Sequence, residues 1–148
     1  MAPTIHASAV LIGAHAVLIR GPSGSGKSLL ALALLQAAER GALRFARLVA
    51  DDRAHVEAAH GRLLVRPAPT LAGMLEVRGV GICRMPYEAL AVVRTVVELG
   101  QAGVQRMPDH TSAQTQLEGI TVPRLAVAAS TDPLPPVLAY LLAHDSSG

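Results

Sequence analysis

The residues Gly21-Pro22-Ser23-Gly24-Ser25-Gly26-Lys27-Ser28 constrain this chain more than any others, because they satisfy the pattern G-x-x-x-x-G-K-[ST] at every specified position. The apolar run Ala16-Val17-Leu18-Ile19 in front of them predicts a buried strand, and the leucine- and alanine-rich run from Leu29 to Leu35 behind them predicts a helix. Strand, glycine-rich turn and helix form the context in which this pattern cradles phosphate. Glycines let successive backbone N–H groups turn toward one anion, and the new helix adds the positive end of its dipole. Residues Gly21 to Leu29 are therefore the candidate nucleotide-binding set, with ATP and Mg²⁺ as the expected ligands. Lys27 is placed to reach the β- and γ-phosphates and Ser28 to offer a hydroxyl to the metal. The acceptor stays open at this point: water, a small molecule and a protein side chain all fit such a loop.

The rest of the composition narrows the class. A chain of 148 residues fits one domain, 1–148, with one core. Its residues are 51% hydrophobic but only 2% aromatic, so the core must be built from small aliphatic side chains. The formal charge of +2 argues against a dedicated nucleic-acid surface. Lys27 is the only lysine, which marks it as a residue with a task. Cys83 is the only cysteine; it excludes an intrachain disulfide and reads as buried and inert. With no basic leader and no apolar stretch of ~18–20 residues, a cytoplasmic protein without a membrane span is expected.

Two strands, within Ile5 to Ile12 and His15 to Arg20, should meet at Gly13-Ala14. The helix after the loop should run to about Arg40 and stop at Gly41. Phe45 to Ala50 reads as a strand ending in Asp51-Asp52, and His60-Gly61 as the turn of a hairpin. Leu75 to Ile82 reads as one strand-like run with two glycines, and Ala91 to Leu99 as a strand, in competition with a helix from Tyr87. Gln101 to Gln116 reads as a mobile surface loop. Two short strands are expected on either side of Pro123, then a helix opened by Pro135-Pro136 and a frayed tail from Asp145 to Gly148. The fold class that results is α/β, a P-loop kinase core with a mixed, strand-rich sheet and few helices.

Asp51-Asp52 ends a strand one connection after the loop, where such proteins place a carboxylate toward the metal. One Asp would hold Mg²⁺ directly or through water, and its neighbour is free to take a proton from an attacking hydroxyl. Taken with these features, four stretches resemble the catalytic domain of the HPr kinase/phosphorylase family, bacterial enzymes that phosphorylate a serine of the phosphocarrier HPr. They are His6, fifteen residues before Gly21; GPSGSGKS itself; Leu48 to Glu57, which reads LVADDRAHVE; and Leu75 to Ile82, which reads LEVRGVGI. Leu117 to Pro123 echoes a segment near the family's C-terminus. The resemblance covers roughly residues 5 to 128. It implies Asp52 as the base toward the acceptor serine, Lys27 on the phosphates, Ser28 and Asp51 at Mg²⁺, and His6 in contact with the reacting groups or the carboxylates. Taken alone, His6 reads as a satisfied histidine on a buried strand. Glu76 and Arg78 serve metal and phosphates, or form a solvated strand face.

The chain departs from the family at several places. Leu29 stands where the family has a metal-side glutamate, and Ala42-Leu43-Arg44 lengthens the link to Asp51. Ala128 to Pro133 replaces a proline-glycine-arginine-asparagine stretch, and the resemblance is to the catalytic domain alone, with no counterpart expected here of the family's separate N-terminal domain. The resemblance implies an ATP-dependent serine kinase for an HPr-like phosphocarrier, with weak phosphorylase activity and homo-oligomers as in relatives. A small-molecule P-loop kinase is an alternative, although Arg94, Arg106 and Arg124 are too dispersed for a lid. A nucleotide-binding switch with little turnover is another, favoured by Leu29.

Overall fold

A computed structural model describes residues 4–144; the expected frayed tail, Asp145 to Gly148, lies outside the described residues. In chain order the elements are β1 (Thr4–Ile5), β2 (Ser8–Ile12), β3 (His15–Arg20), α1 (Lys27–Glu39), β4 (Ala46–Ala50), β5 (Ala54–Ala59) and β6 (Arg62–Pro67). After a 3₁₀ turn at Pro69–Leu71 come β7 (Met74–Val77), β8 (Gly81–Arg84), β9 (Ala91–Gln101), β10 (Gln114–Leu117), β11 (Ile120–Ala128) and α2 (Leu134–Ala143). Strand content dominates, as the sequence predicts.

The main sheet runs β1-β5-β6-β9-β3-β2-β4 and branches at β9, which also pairs β11, with β10 outside it. β9 can serve three partners because it is eleven residues long. Ala91 and Val92 pair antiparallel with β6, Val93 to Glu98 parallel with β3, and Val96 to Gln101 parallel with β11. The two parallel neighbours bring the C-terminal ends of β3, β9 and β11 to one edge, which is where ligands bind in sheets of this kind.

β3 is apolar without alternation because both of its faces are covered. Val17 and Ile19 point into one cluster with Leu30, Leu34 and Val137 of the helices, while Ala16 and Leu18 point into another with Val56, Leu63 and Val65. α1 buries Leu30, Ala31, Leu34 and Ala37, each leucine contributing about 2 kcal/mol of transfer free energy. It ends as predicted at Gly41, whose φ is +82°. The Ala42 N–H reaches Ala37 O at 2.8 Å and the Gly41 N–H reaches Ala38 O at 3.0 Å, which satisfies the last-turn carbonyls. His60 and Gly61 both have positive φ, the two-residue turn expected between β5 and β6.

Several expectations change. Leu75 to Ile82 is a hairpin rather than one strand, because the Val80 N–H closes onto Val77 O at 2.9 Å with Gly79 at φ +86°. The strands around Pro123 are one: Ile120 to Pro123 pair with β10, and pairing with β9 begins only at Arg124. Pro123 therefore costs no bond in the β9 ladder. Cys83 is half-buried rather than buried, with Sγ 3.9 Å from Gly81 O. The expected loop from Gln101 to Gln116 is shorter than that, since Gln101 ends β9 and Gln114 to Gln116 lie in β10; the stretch between is largely exposed and stitched by its own bonds, Ser112 N–H to Asp109 Oδ1 at 2.8 Å and Asp109 N–H to Gln105 Oε1 at 3.0 Å. The Ser112 donors hold the Asp109 carboxyl below the usual carboxylate range.

Candidate active site

The loop between β3 and α1 rests on the end of β9. A Cβ on Gly21 would come within 2.6 Å of Ser25 Oγ and 3.0 Å of Leu99 Cβ, and one on Gly100 within 3.1 Å of Pro22 Cδ. Two glycines thus allow loop and strand to touch. Arg20, the last residue of β3, pairs with Glu98, and Arg124 Nε lies 3.5 Å from the same carboxylate. These charges hold the three parallel strand ends together beneath the loop.

Gly26 is the N-cap of α1, so no side chain there takes the first-turn amides, and the first turn carries no acid. The positive end of the helix is left for an anion. Lys27 Nζ lies across the loop, donating to Gly21 O at 2.9 Å and Pro22 O at 3.2 Å, which uses two of its three donors.

The end of β4 meets this loop through Asp51, only 5% exposed. Its Oδ1 accepts hydroxyl bonds from Ser28 at 2.7 Å and Ser8 at 2.6 Å, and its Oδ2 accepts the Glu76 N–H at 3.2 Å. A carboxylate so far out of water needs these donors. Asp51 is therefore not part of a solvated acidic turn. The next residue, Asp52, has φ +69°, and the Arg53 N–H bonds back to Asp51 O at 2.8 Å. An i to i+2 bond around a positive central φ is the rare, strained form of γ-turn. Its exposed carboxyl lines a cleft of about 560 Å³.

Ser23, Gly24, Gly26, Lys27, Ser28, Leu29, Asp52 and Glu76 all line that cleft, with Leu32, Val77, Arg78, Gly79 and Gly81. The structure thus brings most of the expected site residues together. Gly21, Pro22 and Ser25 belong to the loop but face its seat on β9, and Asp51 lies below, behind Ser28. His6 is not on a buried strand. It is exposed at the bend between β1 and β2, next to Ala7, whose N–H donates to Asp52 O at 3.2 Å. This places it near Asp52 in the chain pairing but outside the cleft lining. Sequence reasoning missed Ser8, Leu32, Val77, Gly79 and Gly81 as site residues. The signal for Ser8 was present, a lone hydroxyl inside the apolar strand SAVLI.

Strand, loop and helix at the C-terminal edge of a mixed, strand-rich sheet define a P-loop kinase core. Comparison with known proteins is more specific. The family model for the HPr Serine kinase C-terminal domain matches residues 1–129. The HPr kinase/phosphorylase of Limosilactobacillus reuteri is 34% identical over 141 residues, covering 86% of this chain and 41% of that protein. The protein of the same name from Streptococcus thermophilus is 35% identical over 139 residues, covering 86% and 43%. The chain belongs to the HPr serine kinase C-terminal domain family, and it spans about two fifths of the length of these relatives. The structure of the Hpr(Ser) kinase/phosphatase from Coxiella burnetii superposes with a TM-score of 0.74, covering 97% of this chain and 90% of that one at 23% identity; it shows the same fold. Among the described residues no helix is long and apolar enough to cross a membrane.

Proposed function

We propose that residues 1–148 form one kinase domain that transfers the γ-phosphoryl group of ATP, with Mg²⁺, to a serine of an HPr-like phosphocarrier protein. The observation that carries this reading is the Ser28–Asp51 bond at 2.7 Å, which ties the loop to a strand end whose next residue, Asp52, lines the cleft. The names of the relatives supply the acceptor class.

The residues present suit Mg²⁺, since Ser28 and Asp51 with Glu76 at the cleft wall offer only hard oxygen donors. Among the described residues no three His, Cys, Asp or Glu side chains gather around one point. A metal held mainly by phosphates and one or two carboxylates needs no such cage. When bound, Mg²⁺ offsets charge on the phosphates. The chain's own part is to bind and orient: the amides of residues 21–29 and the Lys27 ammonium hold the phosphates, while the apolar side chains of Leu29 and Leu32 line one side of the cleft. Asp52 takes the proton from the acceptor serine Oγ as that oxygen attacks, and His6, beside Asp52 in the chain pairing, contacts or orients the reacting groups.

The test is incubation with labelled ATP, Mg²⁺ and the HPr-like proteins of the same cell, followed by mapping of the label. A single phosphoserine on one of them is the expected result. ATP consumption without label on protein would overturn the acceptor assignment. Nucleotide binding without turnover would favour the switch reading, to which Leu29, 68% exposed in the cleft lining where the resembled family has a glutamate, lends support.

A further inference from the structure

Ser8 is fully buried, 0% exposed, in a strand whose other residues are apolar. A hydroxyl adds nothing to packing there and must be satisfied inside the protein. It is satisfied twice, by the two neighbouring residues of the carboxylate pair. Its Oγ–H donates to Asp51 Oδ1 at 2.6 Å, and its oxygen accepts the Asp52 N–H at 3.4 Å.

This meeting depends on a slip in register. Between β2 and β4, Val10 stands opposite Leu48 but Ala9 stands opposite Ala50, so one extra residue, Val49, is taken up on β4. The shifted register continues beyond β2, with the Ala7 N–H on Asp52 O and Ile5 opposite Ala54. Ser8 thereby falls opposite Asp51, and directly opposed residues of an antiparallel pair share a face. Without the slip it would oppose Ala50.

We propose that Ser8 is a positioning residue for the Asp51-Asp52 pair: its hydroxyl turns Asp51 Oδ1 toward Ser28 and its oxygen holds the Asp52 backbone in the turn that sets this residue in the cleft wall. The proposal rests on the reading of the cleft as a Mg²⁺-nucleotide site. Ser8 is fully buried and outside the cleft lining, so it acts on the site through Asp51 and Asp52. Losing it leaves Asp51 with the Ser28 and Glu76 donors but with one restraint fewer on Oδ1, and leaves Asp52 held by backbone bonds alone.

The experiment compares the parent with Ser8→Ala, Ser8→Thr and Ser8→Cys, each loaded with a non-hydrolysable ATP analogue and titrated with Mn²⁺, free Mn²⁺ being read by electron paramagnetic resonance. Nucleotide affinity without metal and melting temperature are recorded alongside. Removal of a group that orients a metal ligand commonly costs roughly 10-fold in metal affinity. Ser8→Ala should show a loss of about that size, with metal-free nucleotide binding within about twofold of the parent. Ser8→Thr, which keeps the hydroxyl, should recover most of it. Ser8→Cys, which keeps the shape with a weak donor, should behave like Ser8→Ala and stands in for it if that variant does not fold. Parent-like Mn²⁺ affinity in Ser8→Ala and Ser8→Cys overturns the proposal, as does a loss in Ser8→Thr as large as in Ser8→Ala. A parent with no nucleotide-dependent Mn²⁺ binding overturns the site reading and this inference together. A parent that binds Mn²⁺ with the expected order of variants but labels no phosphocarrier supports the role of Ser8 and refutes only the acceptor.

Discussion

Asp52 carries two properties that substitution can separate, a carboxyl group and a backbone at positive φ. Asn tolerates positive φ nearly as well as Asp, whereas a residue with a plain Cβ pays about 1–2 kcal/mol. Asp52→Asn should therefore keep the parent's melting temperature and nucleotide binding while losing phosphoryl transfer. Asp52→Ala should lose transfer and also about 1 kcal/mol of stability, read by urea denaturation. Equal stability in the two variants would mean that the turn at φ +69° is not strained. The loop residues were legible in the sequence because a phosphate loop is a local motif, and Asp51-Asp52 because it ends an apolar run. For Ser8 the sequence offers only a lone hydroxyl at the head of an apolar strand; its meeting with Asp51 across 43 positions depends on a one-residue slip between strands that no local pattern reports.

Helix α1 carries the loop, and its anchorage is set by Leu30 and Leu34, 1% and 0% exposed. Leu34→Ala should cost roughly 2–5 kcal/mol by transfer and cavity terms. Because Leu34 packs in the core rather than in the cleft lining, nucleotide affinity measured well below the lowered melting temperature should stay near the parent's. A large loss of affinity at full folding would show that the helix shifts bodily and drags the loop with it. Element boundaries read well wherever glycine chemistry is explicit, as at Gly41 and His60-Gly61. They failed at Leu75 to Ile82 and at Pro123. In the first, alternating glycines fit a bend or a turn equally, and the hairpin follows from packing of Leu75 in the core under α1. In the second, proline interrupts a strand only if its missing N–H is needed, and here two different neighbours divide the strand at that residue.

At the scale of the molecule, the departures from the family bear on which direction of phosphoryl transfer is favoured. The forward reaction calls on the loop, Lys27 and Asp52, which share the cleft. Attack of inorganic phosphate on phosphoserine brings one more anion beside Asp52 and calls for another positive partner. The resembled family has an arginine past β11; this chain has Ser130, Thr131 and Asp132 in a turn closed by the Thr131 N–H on Ala128 O at 3.1 Å. Pyrophosphate release from phosphorylated acceptor, phosphate and Mg²⁺ without nucleotide should accordingly be slower than forward transfer. Release at the forward rate would show that the missing arginine and the glutamate replaced by Leu29 are dispensable. The sheet order itself was not legible in the sequence, because the three-way pairing of β9 joins segments that lie far apart in the chain.

The seat of the phosphate loop, Leu99 and Gly100, is encoded long after the loop. During synthesis the glycine-rich turn leaves the ribosome with nothing to lie on, and β3 with one side unpaired, until Gln101 has emerged. A nascent chain halted before that point holds the whole recognisable motif and no surface to shape it. If the cleft holds nucleotide as proposed, that competence should arrive only together with closure of the sheet.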